Sequence, residues 1–314
     1  PLTLTKPKPL LKVAGVSLIE HNLSQLKDVV DEVIIIVGYK KEMIIEKLGD
    51  KFENLNITYI EQKHQDGTGG ALLTAKDIIK DKFIVLNGDD LFHKKDILKC
   101  LKHQYCVLGK EVDDLTRFGE LIVDSEFVLK IKEKPNKKNG IANCGLYVLD
   151  KEIFNHKIHK SLRGEYEIVD FIKHLKNVNY EIVEEYWLPI TYPWNLIDAN
   201  ENLIKNIEKD INGEIEKNAT IKGKVKIGKG SIIKSGSYIE GPVIISNNCI
   251  IGPNCYIRSG TVVGNNCKIG NAVEIKNTLI GDNTNVGHLS YVGDSVLGDN
   301  VNFGAGTIIA NLFL

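Results

Sequence analysis

Residues 219–251 read ATIKGKVKIGKGSIIKSGSYIEGPVIISNNCII, and every sixth position holds the same kind of residue. Ile221, Ile227, Ile233, Ile239, Ile245 and Ile251 open a series that runs unbroken through Ile257, Val263, Ile269 and Ile275. One residue then drops out before Ile280, Val286 and Val292, and another before Leu297, Phe303 and Ile309. Four positions after the aliphatic residue stands a small or short one, from Val225 and Ser231 to Cys267 and Val273. One position after it is often glycine, as at Gly228, Gly252, Gly264 and Gly270. A helix repeats near 3.6 residues and a half-buried strand near 2, so neither gives this pattern. A six-residue period is that of a parallel β-helix. Each hexapeptide is a short strand and a tight turn, with the aliphatic side chain inward and Gly or Asn at the corner needing positive φ. Three hexapeptides close a coil, so residues 18 apart stack at the strand spacing of about 4.8 Å. The repeat predicts roughly five coils.

At 314 residues the chain exceeds one ordinary core, and two domains are expected. A net charge of −1 leaves no electrostatic footprint for nucleic acid. The sequence has neither a long apolar run for a membrane span nor a signal-like start, so a cytoplasmic protein is expected. The six cysteines form no disulfide or zinc pattern. Cys249, Cys255 and Cys267 share the small inward phase of the repeat and read as core filler, Cys144 lies in an apolar strand, and Cys100 and Cys106 flank or close a helix. Only Arg117, Arg163 and Arg258 are arginines among 40 basic residues, and only His288 of eight histidines lies in the repeat.

The first two hundred residues alternate strands with helices. A helix carries Leu18, Ile19, Leu23 and Leu26; the apolar run Val33–Val37 follows, then a helix over Lys41–Leu48, a strand over Asn56–Ile60, a helix over Gly69–Ile79 and a strand over Phe83–Leu86. That alternation predicts an α/β domain with a mainly parallel sheet, whose ligands bind beyond the carboxyl ends of the strands. Four segments fall at such ends. Lys6 and Lys8 sit in a proline-stiffened loop where ammonium groups can be held near an anion. Residues 62–70, QKHQDGTGG, make a glycine-rich turn that lets backbone N–H groups approach a ligand. Asp89 and Asp90 end a buried strand, a good place for a hard divalent cation. Asn143 and Gly145 begin another apolar strand. Each has a plainer reading too: a turn-forming Asp, an ordinary glycine turn, a solvated linker.

Taken in order, these residues resemble the sugar-1-phosphate nucleotidylyltransferases. The matching motifs are Lys6-Pro7-Lys8-Pro9-Leu10, Gln62 with Gly67-Thr68, Gly88-Asp89, Glu133-Lys134-Pro135 and Asn143-Cys144-Gly145. The resemblance implies a Rossmann-like nucleotidyltransferase domain in which Asp89 binds Mg2+ and Lys8 contacts the phosphates being exchanged. Gln62 and Gly67 would read the base edge, Gly119, Glu133 and Asn143 would hold the sugar, and Thr68 and Gly88 would also bind substrate. A second metal ligand comes late in such domains; Asn195 in Tyr192-Pro-Trp-Asn-Leu is the first choice and Asp198 the second. The family's glycine-rich GxGTR phosphate loop has no counterpart from Pro1 onward, which implies a chain truncated ahead of Pro1 and inactive in this half. The repeat, still running at Leu314, implies truncation there as well.

After Asn195, apolar residues at 196, 197, 199, 203, 204, 207 and 211 trace a helical stripe, read as a connector that packs on the first coil and covers the open end of the solenoid. The expected domains are 1–195, a linker helix 196–213, and a β-helix 214–314. Within the repeat, Arg258 and Lys276 are 18 apart and stack on one face, where an anion over the pair, or two side chains splayed into solvent, would accommodate the like charges. His288 beside Gly287 has the titration range of a general base. The stretch from Arg258 to Thr307 resembles the acetyltransferase half of the bifunctional enzymes that make UDP-N-acetylglucosamine, a left-handed β-helix that assembles as a homotrimer. The resemblance implies that Arg258, Lys276 and Tyr291 bind the phosphate of glucosamine-1-phosphate, His288 takes a proton from the amine, Asn302 positions substrate, and Ala305 lies near the acetyl group of acetyl-CoA. Uridylyl transfer from UTP would follow in the other domain. The alternatives are a monofunctional nucleotidylyltransferase with a structural β-helix, and a non-catalytic regulatory subunit.

Overall fold

A computed structural model describes residues 2–135, 137–161 and 163–311, so Pro1 and Leu314, the two ends where truncation is expected, lie outside the described residues. The chain divides into two compact units. One comprises Thr3–Leu10 and Leu18–Pro189; the other takes Leu2, Leu11–Ser17 and everything described from Ile190 onward. The division therefore falls a few residues ahead of the expected boundary at 195. It also assigns a short N-terminal piece to the repeat unit, because its bonds run to residues 200 and 282.

The first unit contains α1 (Leu18–Leu26), α2 (Lys41–Leu48), α3 (Thr68–Thr74), α4 (Lys94–Cys100) and α5 (Ile168–Ile172). In α1 the residues at positions 18, 19, 22, 23 and 26 are buried, the helical face that the apolar spacing dictates. Cys100 closes α4, and Cys106 opens a strand. Glu32–Val37 and Leu55–Glu61 pair in parallel, as the βα alternation predicts. The larger sheet does not follow the expectation of mainly parallel strands. Its order is Phe83–Leu86, Gly140–Leu149, Cys106–Val112, Asn179–Ile182, Phe127–Lys132, Glu120–Asp124, and only the Cys106–Val112 and Asn179–Ile182 pair is parallel. The reason lies after residue 100, where strands return by hairpins: Glu120–Asp124 turns directly into Phe127–Lys132, with Ser125 at φ 54°. Strands of this sheet bury both faces. Cys106 and Leu108 enter one apolar cluster with Phe92, Leu146 and Trp187, while Val107 enters the other with Leu149 and Phe171, as the two-residue period requires.

The second unit is a parallel β-helix. Three sheets of six parallel strands each stack from Asp210 onward, one coil more than expected, because the ladder starts at Asp210–Ile211 within the stretch read as linker. Coils of 18 residues (Val225 opposite Val243) give way to coils of 17 (Val262 opposite Leu279), which accounts for the dropped residues. Ile227 through Val292 form three inward ladders that meet in one core, with Cys249, Cys255 and Cys267 all buried in it. Each fully buried aliphatic side chain contributes about 1.5–3 kcal/mol. Positive φ falls three residues after the aliphatic, at Gly230, Gly236, Asn248, Asn254, Gly260 and Asn266. The glycines that directly follow the aliphatics answer a different need: at Gly264 a Cβ would come within 2.6 Å of Asp282 Oδ1 on the next coil, and at Gly270 it would run into the Gly287 carbonyl.

The connector is α6 (Pro193–Ile204), with Pro193 in its first turn and a capping box between Tyr192 and Asn195. Its described bonds are not confined to the first coil. Asn200 bonds Gly260, Glu201 bonds Asn277, and the Lys205 carbonyl accepts from Lys224, so the helix runs along the flank of several coils. No helix among the described residues is long and apolar enough to cross a membrane.

Candidate active sites

In the first unit, Lys8 begins a 3-10 turn, Lys8–Leu10, and its Nζ lies 2.7 Å from Asp89 Oδ2. Both side chains are partly exposed, at 30% and 46%, and an ion pair of that exposure stabilises by about 1 kcal/mol at most. An incoming phosphate or cation can therefore displace it. Asp90, next in sequence, is buried: its Oδ2 accepts from Trp187 Nε1 at 3.2 Å, and burial together with the Asp89 carboxylate pushes its carboxyl up to about 7. Only Asp89 of the two presents a carboxylate to solvent.

The turn around Gln62 is built by backbone constraint. Gly67 holds φ 101°, and a Cβ there would strike the Tyr166 carbonyl. Gln62 Nε2 donates to Asp66 Oδ1 (3.0 Å) and to the Gly67 carbonyl (3.2 Å), while Thr68 Oγ1 accepts from the Ile168 N–H. A depression of about 340 Å³ borders the turn, lined by Gln62, His64, Asp66 and Gly70 among others. Gly119, Glu133 and Asn143 come together. The Asn143 N–H donates to the Gly119 carbonyl (2.7 Å), its Nδ2 donates to the Tyr147 hydroxyl (2.7 Å), and Glu133 Oε1 lies 3.2 Å from where a Gly119 Cβ would stand. Gly88 has open space around it. Burial, then the neighbouring Glu167, raises Glu133 above the usual glutamate range, and Arg163, 4.0 Å away, offsets part of that rise.

Asp89 fits a divalent cation by its chemistry, being an exposed hard oxygen donor next to a lysine. Among the described residues no three His, Cys, Asp or Glu side chains gather to hold a metal. A single carboxylate suits Mg2+, which takes its remaining ligands from water and substrate phosphate. Asn195 fits less well: its Oδ1 already accepts the Thr191 and Tyr192 N–H groups, at 3.2 and 2.9 Å, using both lone pairs. Asp198 accepts only one described bond, from Asn195 Nδ2, and as a carboxylate keeps further lone pairs. Asn195 and Asp198 are carried by the repeat unit, not by the unit of Asp89.

In the repeat unit, Ile257 pairs with Ile275 and the Arg258 N–H donates to the Ile275 carbonyl, so Arg258 and Lys276 do stack on adjacent coils. Their charges are separately compensated. Arg258 Nη1 lies 3.0 Å from Glu274 Oε1 and its guanidinium sits over the Tyr256 ring; Lys276 Nζ lies 2.9 Å from Asp294 Oδ2. These too are partly exposed pairs, weak enough for a dianion to exchange with. Tyr291 stacks directly on Glu274, which puts it beside the Arg258 pair. The exposed His288 ends the strand Asn285–His288 at the corner leading to Tyr291. Its carbonyl accepts the Gly306 N–H, so Ala305 and Gly306 lie one coil above, and Asn302 stacks on Asn285.

Asp66, Tyr147, Arg163, Glu167, Trp187, Glu274 and Asp294 were not found from sequence. Arg163 alone carried a signal, as one of three arginines; Asp66, Tyr147 and Glu167 bond partners four residues away that no spacing rule singles out, and Trp187, Glu274 and Asp294 act through partners 16 or more residues away.

Comparison with known proteins adds an independent line. The Nucleotidyl transferase family profile matches residues 1–206, and the GMPPB C-terminal domain profile matches residues 239–314. A bifunctional protein GlmU from Methanocaldococcus jannaschii is 44% identical over 240 residues, covering 74% of this chain; the chain spans 58% of that protein's length. A bifunctional sugar-1-phosphate nucleotidylyltransferase/acetyltransferase from Sulfurisphaera tokodaii is 38% identical over 99% of this chain and 79% of its own. Among solved structures, HddC from Yersinia pseudotuberculosis superposes with a TM-score of 0.53 and 30% identity, over 64% of this chain and 93% of its own. Profile, relatives and fold agree: the chain belongs to the nucleotidyl transferase family.

Proposed function

We propose that this is a bifunctional enzyme. The repeat unit N-acetylates glucosamine-1-phosphate with acetyl-CoA, and the α/β unit transfers uridylyl from UTP to the N-acetylglucosamine-1-phosphate so formed, releasing pyrophosphate. The observation that carries the reading is the end-to-end alignment, across both units, with a relative named for both activities.

For acetyl transfer, Arg258, Lys276 and Tyr291 would hold the sugar phosphate, with Glu274 and Asp294 as the partners that the dianion replaces. His288 would take the proton as the amine attacks the thioester carbonyl and CoA leaves. Asn302 would position the substrate, and Ala305 would lie near the acetyl group. For nucleotidyl transfer, an oxygen of the sugar phosphate attacks the α-phosphorus in line and pyrophosphate leaves. Positioning and charge neutralisation supply most of the catalysis for such a step. Lys8 would move from Asp89 to the phosphates, and Glu133, Asn143 and Gly119 would hold the sugar. Mg2+ held by Asp89 would neutralise phosphate charge when bound. The β-helix supports assembly as a homotrimer. The test uses the complete protein: CoA release from acetyl-CoA with glucosamine-1-phosphate, and pyrophosphate release from UTP with N-acetylglucosamine-1-phosphate. Pyrophosphate release without CoA release would leave only the monofunctional reading.

A further inference from the structure

The turn that follows the strand Leu55–Glu61 holds a side-chain amide whose direction its neighbours force. Gln62 Nε2 donates to Asp66 Oδ1 at 3.0 Å and to the Gly67 carbonyl at 3.2 Å. Both partners, a carboxylate and a carbonyl, can only accept. The nitrogen of the amide must therefore face them, and both of its N–H groups are used. The opposite end, Oε1, enters no described hydrogen bond. The backbone N–H of Gln62 is fixed as well, donating to the Val37 carbonyl at 2.9 Å. An amide that could turn either end outward is thus held as an acceptor.

Asp66 is what holds it. Its carboxylate has no other described partner, and its backbone is pinned on both sides. The N–H donates to the His64 carbonyl at 2.9 Å, and the carbonyl accepts the Tyr166 N–H at 2.7 Å. Gly70, in the first turn of α3, makes room for the bond. A Cβ there would stand 2.0 Å from Asp66 Oδ1, 2.8 Å from Asp66 Cγ and 3.2 Å from Gln62 Nε2. Alanine is the better helix former, so the glycine serves the carboxylate and not the helix. Gln62, Asp66, Gly67, Gly70 and Tyr166 all belong to the α/β unit.

We propose that Asp66 is a positioning residue for base selection in nucleotidyl transfer. With the Gln62 nitrogen held back, Oε1 meets the base as an acceptor, and an acceptor calls for a ring N–H. Uracil and thymine carry one at N3. Cytosine carries a lone pair at the same atom, which sets two acceptors face to face. A site built to bond an N–H rejects an analogue that lacks it, because the polar group of the site is then left unpaired. The site therefore takes a uracil or thymine nucleotide, which share this edge, and turns away a cytosine nucleotide. The proposal rests on the assignment of Gln62 to the base edge.

Pyrophosphate release by the complete protein from UTP and from CTP, each with N-acetylglucosamine-1-phosphate, tests it. The native protein should favour UTP. Asp66→Ala frees the amide to turn its N–H groups outward, and the ratio of kcat/KM for UTP over CTP should fall by about tenfold or more. Gly70→Ala displaces the carboxylate without altering either partner of the bond; it should lower the same ratio, and carries the test should Asp66→Ala fold poorly. Asp66→Asn keeps an acceptor oxygen at that place and should retain most of the ratio. A purely structural role would lower kcat/KM for both nucleotides by one factor. A ratio unchanged in both the Asp66→Ala and Gly70→Ala variants overturns the proposal, as does a native protein that uses UTP and CTP equally well. Gln62→Ala separates the two levels. An unchanged ratio there sinks the assignment of Gln62 itself, whereas a collapsed ratio there beside unaltered Asp66 and Gly70 variants sinks only the positioning role.

Discussion

The two units collect their functional residues by opposite means. In the α/β unit the Lys8–Asp89 pair joins residues 81 apart, brought together by the packing of sheet and helices. In the solenoid the Lys276–Asp294 pair joins residues 18 apart, one coil and one residue. A solenoid converts sequence distance into spatial distance at a fixed rate, since each coil rests only on its neighbours. An α/β unit has no such rate. Its site depends on the whole core, while the solenoid site depends on a few coils.

That contrast can be broken experimentally, most sharply at the catalytic groups. His288→Ala should reduce acetyl transfer by about 10²–10⁴-fold, the contribution of a general base, while pyrophosphate release is retained. Loss of both activities would mean the units do not work separately. Asp89→Ala should do the converse, with a loss of about 10²–10³-fold in pyrophosphate release and acetyl transfer unaffected. Next in size is core truncation. Ile275→Ala and Leu108→Ala both empty fully buried positions and should cost about 2–5 kcal/mol each, measured by denaturant unfolding. The solenoid variant should lose acetyl transfer before the α/β unit unfolds; a single shared transition would contradict the local character of the solenoid. The smallest effect concerns Glu133. Its carboxyl is raised above the ordinary glutamate value of about 4.3 by burial first, so folding favours the protonated form. Its contribution to stability is complete below that value and is lost as pH rises through the raised pKa. Glu133→Gln should remove this decline, seen as a flatter melting temperature against pH from about 4.3 upward.

Legibility followed the same divide. The inward ladders, the dropped residues and the stacking of Arg258 on Lys276 could be read from period alone. Motifs of the α/β unit could be read one by one, because each is a local turn: Gly67 and Gly145 are dictated by positive φ at those very residues. Their partners could not. Asp66 holding Gln62 lies four residues away, yet nothing in its spacing announced the bond; Trp187 reaches Asp90 across 97 residues. The parallel-sheet expectation failed for the same reason, since strand direction after residue 100 depends on hairpins whose pairing is tertiary. The connector helix was legible as a stripe, but not the surface that the stripe covers.

By itself, then, the sequence determined the β-helix, its inward ladders and the identity of the motif residues, because these follow from periodicity and from backbone conformations that only certain residues adopt. Tertiary structure alone decided which charges are compensated: Arg258 by Glu274, Lys276 by Asp294 and Lys8 by Asp89. It alone decided that α6 flanks the coils and that buried Asn200 bonds the Gly260 carbonyl. Ion pairs and buried amides depend on distances between side chains, and a linear sequence fixes those distances only where the chain repeats.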